Sequence, residues 1–505
     1  MGIFHNHEFY DLVIINGYFL LVFFLAYKAK KFLNYYKSSF VVKEIEVHYL
    51  AAKSITYWEC LFSVCAASIS AYHFLVLPGL VYAKNMSYLQ FCLGLVISRW
   101  ISAKYILPHL HNKGLTIIES IAKGDSYFKI SRVSRIGRKF LSLLYFCFKV
   151  LDVGLKLYLG SILLSGFFSI SIITAMMSMA LVTYLYTILG GLKAVVRTDM
   201  LQFSLFIIAG IIVPFVIAEQ SQMGIFQLIS IGIQGGKFSI LNQGELSIFI
   251  LGVFAGILHD ICATSCDQEI AQKFLGTNRL SVAKRALKNS SWITMLVNIL
   301  FLSIGAILWA YTSTKGIVLN HDGQGAFYTY ILEYIPTPLK GLLIAGSMAA
   351  VMSSLDSAIN ALSCTYWNDI MPSKAGKYLG LYIKMDMMII TLIILFVACI
   401  ISKYPILTHL TDSVSSWAFA PLLALIVGRA GILPFYRIEF NLPVVFTSYA
   451  ASFFGMIIAK VYYKANLDLV ILVSAICSFS ALKIYTLFSK NLDQKFSQDE
   501  GNTQT

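Results

Sequence analysis

The sequence predicts an all-α polytopic membrane protein with about thirteen transmembrane helices, and three observations lead there. The 505-residue chain is 58% hydrophobic and only 13% charged, with a mean hydropathy of +0.74, a composition that excludes ordinary soluble domains. Apolar stretches long enough to cross a bilayer at ~1.5 Å per residue recur along the chain. Lysine and arginine concentrate on alternate loops.

The spans fall near 11–27, 56–83, 88–103, 141–168, 169–190, 199–219, 247–267, 289–312, 341–364, 385–402, 408–428, 441–459 and 468–488. With the N-terminus outside, the inward loops carry 29 Lys and Arg against 7 in the outward loops, while Arg99, Lys149 and Lys156 lie within spans. This asymmetry predicts a cytoplasmic C-terminus in a plasma membrane, the inner membrane in a bacterium. It also assigns the net charge of +14 to a face apposed to anionic lipid, with no nucleic-acid partner required. The first span reads as a retained helix: its flank MGIFHNHEFYD has no Lys or Arg, and no small-residue cleavage site follows. The nine cysteines show no recurring spacing and read as packing residues rather than a disulfide framework or zinc site. Segments 220–246 and 313–340 are the longest outward connections, the second forming either a short lid helix or a plain loop. The tail from Ser489 reads as disordered.

Polar groups within the spans carry the functional reading. Ser353 and Ser354 sit midway along the ninth span and Asp356 follows within a turn; hydroxyls and a carboxylate at that depth suggest an ion or polar-solute site. The plainer account has the serines bonding to carbonyls one turn earlier and the small residues promoting close helix packing. In the second span Ser68, Ser70 and His73 lie near mid-membrane, and Pro78-Gly79 invite an interruption whose carbonyls a cation and solute could satisfy. Lys149, Asp152 and Lys156 share one face of the fourth span. They read as mutually neutralising, or with Lys149 as counter-charge to an anionic solute. In the seventh span His259 and Asp260 form a deep polar patch, with Thr264 and Ser265 beyond it, whereas Asp267 and Glu269 can be neutralised by Lys273. Gly190-Gly191 supply the turn between spans five and six, and Asp199 reads as the N-cap of the sixth.

No GxxxxGK[ST], HExxH or GxSxG occurs, so ATP-driven transport, a membrane metalloprotease and enzyme activity in general lack their marks. No organic cofactor and no obligatory protein partner is evident. The expected partners are a small polar organic solute, an ion and the lipid bilayer.

Four segments resemble the sodium:solute symporter family, which includes carriers of the sugar, proline and pantothenate type. YLAAKSITYWECLFSVCAASISA (49–71) resembles the opening of its first core helix, GGLKAVVRTDMLQ (190–202) its Gly-Gly, Ala-Val, Thr-Asp and Gln signature, DQEIAQKFL (267–275) its Asp-Gln segment, and AAVMSSLDSAINALS (349–363) its Ser-Ser and Asp-Ser helix. The resemblance implies a five-plus-five inverted-repeat core. Residues 56–219 and 247–433 would form the repeats, 1–55 an N-terminal extra helix and inner loop, 434–488 two further helices, and 489–505 the cytoplasmic tail. It also implies Na+ as coupling ion, bound by the carbonyls of Ala66, Ile69 and Ala350 and the hydroxyls of Ser353 and Ser354. Asp199 and Asp356 would serve coupling or the inner gate. The solute candidates are Ser68, His73, Lys149, His259 and Asp260, and His73 matches a position where sugar carriers place His or Gln. Ala263 and the Ser415-Ser416-Trp417 segment do not reproduce the sugar-pocket pattern. The expected activity is sodium-coupled symport by alternating access. The competing expectations are a symporter-like sensor acting through a separate partner, a sodium-independent carrier and a passive channel.

Overall fold

The computed structural model describes residues 6–39, 44–69, 71–111, 113–123, 132–241, 246–319, 325–371, 379–404, 419–432, 437–459, 470 and 472–487. Its architecture is all-α. Among the described residues, seven helices are long and apolar enough to cross a membrane, and a broken pair makes an eighth span. In chain order the elements are α1 (Asn6–Ser39), α2 (Glu44–Leu50), α3 (Tyr57–Ser68), α4 (Ala71–Ala83), α5 (Leu89–Ile101), α6 (Leu107–Leu110), α7 (Ile117–Lys123), α8 (Arg132–Phe168) and α9 (Ile172–Ser221). They continue with α10 (Ile225–Gln234), α11 (Leu246–Cys266), α12 (Gln268–Leu275), α13 (Leu280–Lys315), α14 (Ala326–Glu333), α15 (Leu339–Thr365) and α16 (Leu379–Lys403). Three shorter apolar helices follow, α17 (Phe419–Ala430), α18 (Leu442–Ile457) and α19 (Leu472–Leu487). The Ser415–Trp417 segment, Ser70 and the tail from Ser489 lie outside the described residues. The connection between α13 and α15 contains a short helix, α14, where the sequence allows either a short lid helix or a plain loop.

Three backbone features set the frame. The second span does break, but after Ser68: α3 and α4 meet at a 68° bend, and Pro78 lies inside α4. Proline needs only one backbone bond replaced, and its carbonyl abuts Gly305 of α13 so closely that any Cβ there would collide. The chain also breaks within α9, where Gly190 (φ −140°, ψ 15°) and Gly191 (φ 49°, ψ −146°) leave helical geometry; Gly191 uses a conformation that a side chain would strain. Asp199 therefore does not cap the following helix, which already runs from Leu192 and carries Asp199 about two turns inside it.

The interior is organised around α15, whose span is 94% buried, against 28% for α1 and α11. Its N-terminus is held by α1, where Asp11 Oδ1 accepts the Gly341 N–H at 2.7 Å, a favourable place for a negative charge. Its C-terminal end runs into a polar cluster. Arg138 on α8 donates to Asp369 at 2.5 and 2.9 Å, Thr116 donates to the same carboxylate at 2.8 Å, and Asn368 donates to Glu119 of α7 at 2.9 Å. Burial pushes the Glu119 carboxyl up, but Lys123, the Leu115 N–H, Arg138 and Asn368 together hold it below the usual carboxylate value.

Close approach of α5 and α11 depends on two glycines: a Cβ on Gly94 would strike the Val253 carbonyl, and one on Gly256 the Phe91 carbonyl. Gly256→Val is expected to destabilise the protein by about 1–3 kcal/mol through overpacking, read as a lowered melting temperature in detergent. Gly17→Val, where nothing lies within 4 Å, should leave it unchanged; equal effects would refute the packing account.

Candidate functional site

Thr56 and Glu59 form a capping box that starts α3: the Thr56 hydroxyl accepts the Glu59 N–H and the Glu59 carboxylate accepts the Thr56 N–H. Lys193 then reaches Glu59 at 2.8 Å, tying this end to the Gly190-Gly191 break. At its other end α3 stops at Ser68, and Ile69 turns extended (φ −114°, ψ 123°). Carbonyls of a final turn have no intrahelical donors of the i+4 kind, and among these Ala66 O accepts the short-range bond from Ile69 N–H at 3.2 Å. The C-terminal end of α3 is thus a focus of partial negative charge within the membrane.

Helix α15 packs against α3. Ser353 Oγ donates to Ala350 O at 3.1 Å and Ser354 Oγ to the same carbonyl at 3.4 Å. Ala66, Ile69, Ala350, Ser353 and Ser354 are all buried. Back-bonding of the serines, the plainer expectation, is present. It spends the hydroxyl protons and leaves oxygen lone pairs as potential cation ligands.

Two carboxylates adjoin this region. Asp199 Oδ2 accepts from Ser63 Oγ at 2.5 Å and from Lys273 Nζ at 2.9 Å, and Lys273 also donates to the Ser63 carbonyl at 2.9 Å. Asp356 Oδ2 accepts from Tyr186 OH at 2.7 Å and Thr198 Oγ1 at 3.3 Å. The second oxygen of each carboxylate is buried without a hydrogen-bond partner among the described residues. Lys273 thus serves Asp199, and Asp267 and Glu269 find their cation elsewhere.

That cation is Lys149. Its ammonium lies 2.6 Å from Asp267, 2.5 Å from Glu269 and 3.1 Å from Asp152, while Tyr145 OH donates to Asp267 at 2.9 Å. Lys156 pairs with Asp152 at 2.9 Å and retains a quarter of its side-chain exposure. His73 and His259 are half-buried. They lie in electrostatic range of one another and of Lys156, and Asp152 also acts on His259.

Ser68 and Asp260 belong to a separate network, centred on a cation that the sequence places within a span but gives no partner. Arg99 on α5 is 1% exposed. Its Nε donates to Asp260 at 3.3 Å, one terminal nitrogen to Ser290 (2.9 Å) and Thr294 (3.0 Å), and the other to Ser68 (2.8 Å) and Asp260 (3.3 Å). Ser98 Oγ also donates to Asp260. All five guanidinium N–H groups are spoken for, so Ser68, Arg99 and Asp260 fix the bend rather than offer free charge to a solute. A lone cation in span three with a deep carboxylate, Asp260, in span seven is the one signal of this pairing in the sequence.

Arg99→Leu should destabilise by roughly 3–5 kcal/mol because it strands Asp260 without its counter-charge. Combining it with Asp260→Leu should recover much of that loss in detergent melts. A double variant no more stable than Arg99→Leu alone would show that a stranded Asp260 does not account for the loss.

A family model described as the sodium:solute symporter family matches residues 48–428. The sodium/sialic acid symporter NanT of Aliivibrio fischeri is 24% identical over 338 residues, covering 65% of this chain and 65% of that protein. The sodium/glucose cotransporter of Vibrio parahaemolyticus is 24% identical over 355 residues, covering 65% and 63%. The sodium/sialic acid symporter SiaT of Proteus mirabilis is 23% identical over 382 residues, covering 74% of each. The chain thus spans about two thirds of the length of the first of these curated relatives. Among solved structures, a substrate-bound outward-open Na+-coupled sialic acid symporter superposes with a TM-score of 0.81 at 18% identity, covering 94% of this chain and 97% of that one. Mhp1, a nucleobase-cation-symport-1 family transporter in a closed conformation, gives 0.54 at 13% identity, covering 87% and 93%. With the family match spanning most of the chain and the fold shared almost end to end, the chain belongs to the sodium:solute symporter family.

Proposed function

We propose that the chain is a sodium-coupled symporter that moves a small polar organic solute into the cell by alternating access. The observation that carries this reading is the end of α3 at Ser68, with Ile69 extended, together with the buried Ser353-Ser354 pair of α15, a helix that packs against α3. Irregular backbone at membrane depth is tolerated where something satisfies it. The proposed sodium ligands are the carbonyls of Ala66, Ile69 and Ala350 and the hydroxyls of Ser353 and Ser354, neutral oxygens that suit a monovalent cation and permit its release. In this reading thirteen spans place the N-terminus outside and the C-terminus in the cytoplasm, with 56–219 and 247–433 as inverted repeats.

The proposed solute pocket lies between α4, α8 and α11, around His73, His259, Lys156 and Asp152. Two histidines beside one ion pair offer donors and acceptors suited to hydroxyl groups. Relatives named for sialic acid, glucose and myo-inositol support a hydroxylated solute. Asp199 and Asp356 are proposed coupling residues, each keeping one unmatched oxygen beside the α3–α15 contact. Transport follows from differential binding: sodium drives the cycle only by stabilising one conformation over the other. Each positive charge moving inward down 100 mV contributes about 2.3 kcal/mol.

Uptake of labelled hydroxylated solutes into proteoliposomes, with sodium and potential varied separately, tests the assignment; sodium-independent uptake would overturn it. In the same assay Ser353→Ala combined with Ser354→Ala should raise the half-saturating sodium concentration at least about tenfold, equivalent to ~1.4 kcal/mol of lost binding. An unaltered sodium curve would remove both hydroxyls from the ligand set. His73→Ala should weaken competition by unlabelled solute while leaving the sodium dependence in place, and unchanged competition would take His73 out of the pocket.

A further inference from the structure

On the outer surface of α5 and α13, at their lysine- and arginine-rich ends, lies a groove that takes no part in the proposed transport site. Trp100 and Ile97 of α5 form one wall and Trp292 of α13 the other, with Lys104 and Lys288 at its basic end. The aromatic and aliphatic walls are open: Ile97 is 44% exposed, Trp100 46% and Trp292 56%. Lys288 reaches across from α13 to lie 4.6 Å from the centre of the Trp100 ring, and Lys104 sits 4.8 Å from that of Tyr105. Among the described residues neither ammonium has a carboxylate partner, and no carboxylate lines the groove. Most other cations within the helical core are neutralised, as Arg99, Lys149 and Lys273 show.

The backbone presents this end of the groove in a particular way. Beyond Ile101 the helix widens into a π-turn, Ser102–Ile106, a distortion that recurs at functional positions. Across this turn Ser102 stays buried and bonded to Ser265 at 3.0 Å, while Lys104 and Tyr105 are both exposed. The result is an apolar trough ending in two unpaired positive charges, the complement of an amphipathic anion. A free inorganic anion would match the lysines but not the trough, and a zwitterionic lipid would match the trough but bring its own cation beside the lysines and no net negative charge.

We infer that this groove is a binding site for an anionic phospholipid, its phosphate between Lys104 and Lys288 and an acyl chain along Ile97, Trp100 and Trp292. The same helices carry Arg99 on α5 and Ser290 and Thr294 on α13 toward the interior, so the lipid braces from outside the pair that Arg99 ties from within.

The test uses the full chain reconstituted in vesicles of phosphatidylcholine into which brominated phosphatidylglycerol or brominated phosphatidylcholine is titrated, with tryptophan fluorescence as readout. Brominated phosphatidylglycerol should quench at concentrations roughly tenfold lower, given two lysines near the membrane surface. The difference should vanish in Lys104→Gln/Lys288→Gln, persist in Lys104→Arg/Lys288→Arg, and vanish in Trp100→Phe/Trp292→Phe. Equal quenching by the two lipids in the native protein, or a preference that survives the Gln substitutions, would reduce the groove to ordinary lipid contact and overturn the inference. Abolition of the preference by excess inorganic phosphate at constant ionic strength would assign it to a soluble anion instead, and would equally overturn it. If the double Gln variant fails to fold, Lys104→Gln and Lys288→Gln singly carry the test: a reduced preference in each supports the site, and none in either overturns it.

Discussion

A guanidinium sealed within a membrane protein is tolerable only when its charge is neutralised and each N–H is matched, because leaving water costs several kcal/mol per ion. Arg99 meets both conditions by linking four elements: Ser68 at the end of α3, Asp260 on α11, and Ser290 and Thr294 on α13, with Arg99 itself on α5. None of these contacts can be given up singly without stranding a buried polar group. The bend after α3 is consequently not a loose hinge. Its last helical side chain is held by a network whose other members belong to three neighbouring helices.

A second buried pair grips the same helix about one and a half turns earlier. Lys273 bridges Asp199 of α9 and the Ser63 carbonyl of α3, while Ser63 Oγ donates to that same aspartate. Helix α3 is therefore the shared member of two networks, one reaching α5, α11 and α13 and the other reaching α9 and α12. Any relative movement of those groups must be accommodated at α3, beside the carbonyls of its last turn. The position of the candidate ion site follows from this connectivity: a cation held between α3 and α15 adds a further link where two charge networks already meet, and so has leverage on both.

How much of this was legible in sequence depended on whether the signal was local. The long apolar helices were, since bilayer thickness sets their length, seven of them and a broken pair being present among the described residues against the thirteen expected spans; the turn at Gly190-Gly191 was, since glycine there is needed for φ 49°. Pro78-Gly79 misled: the proline is absorbed inside α4, and the break falls where Ser68 is anchored by Arg99, a residue thirty-one positions away. Asp199 resembled an N-cap because it follows a turn signal, but the helix restarts at once after Gly191 and its carboxylate is used laterally. Arg99 reads in sequence only as a cation within the third span, with no local sign of its partner. Only the pairing with Asp260, 161 positions on, makes it interior. The candidate ion ligands were indicated by resemblance together with the polarity of Ser353-Ser354, not by any spacing that geometry alone would require.

The electrostatics of the proposed solute pocket illustrate the same limit and bear on what it can accept. Read along α8, Lys149 and Lys156 outnumber Asp152 and suggest a positive surplus. In three dimensions α12 begins against Lys149 and contributes Asp267 and Glu269, so two lysines face three carboxylates and the formal balance becomes −1. Lys149 is wholly occupied at the back of this cluster; Lys156, a quarter exposed and shared only with Asp152, is the cation nearest the pocket side. An anionic solute would have to compete with Asp152 for it while approaching a net negative group. A neutral hydroxylated solute faces no such opposition and can use His73 and His259 as donors or acceptors according to its own hydroxyls. In the proposed pocket, local charge thus favours a neutral, hydroxyl-rich solute over an anionic one.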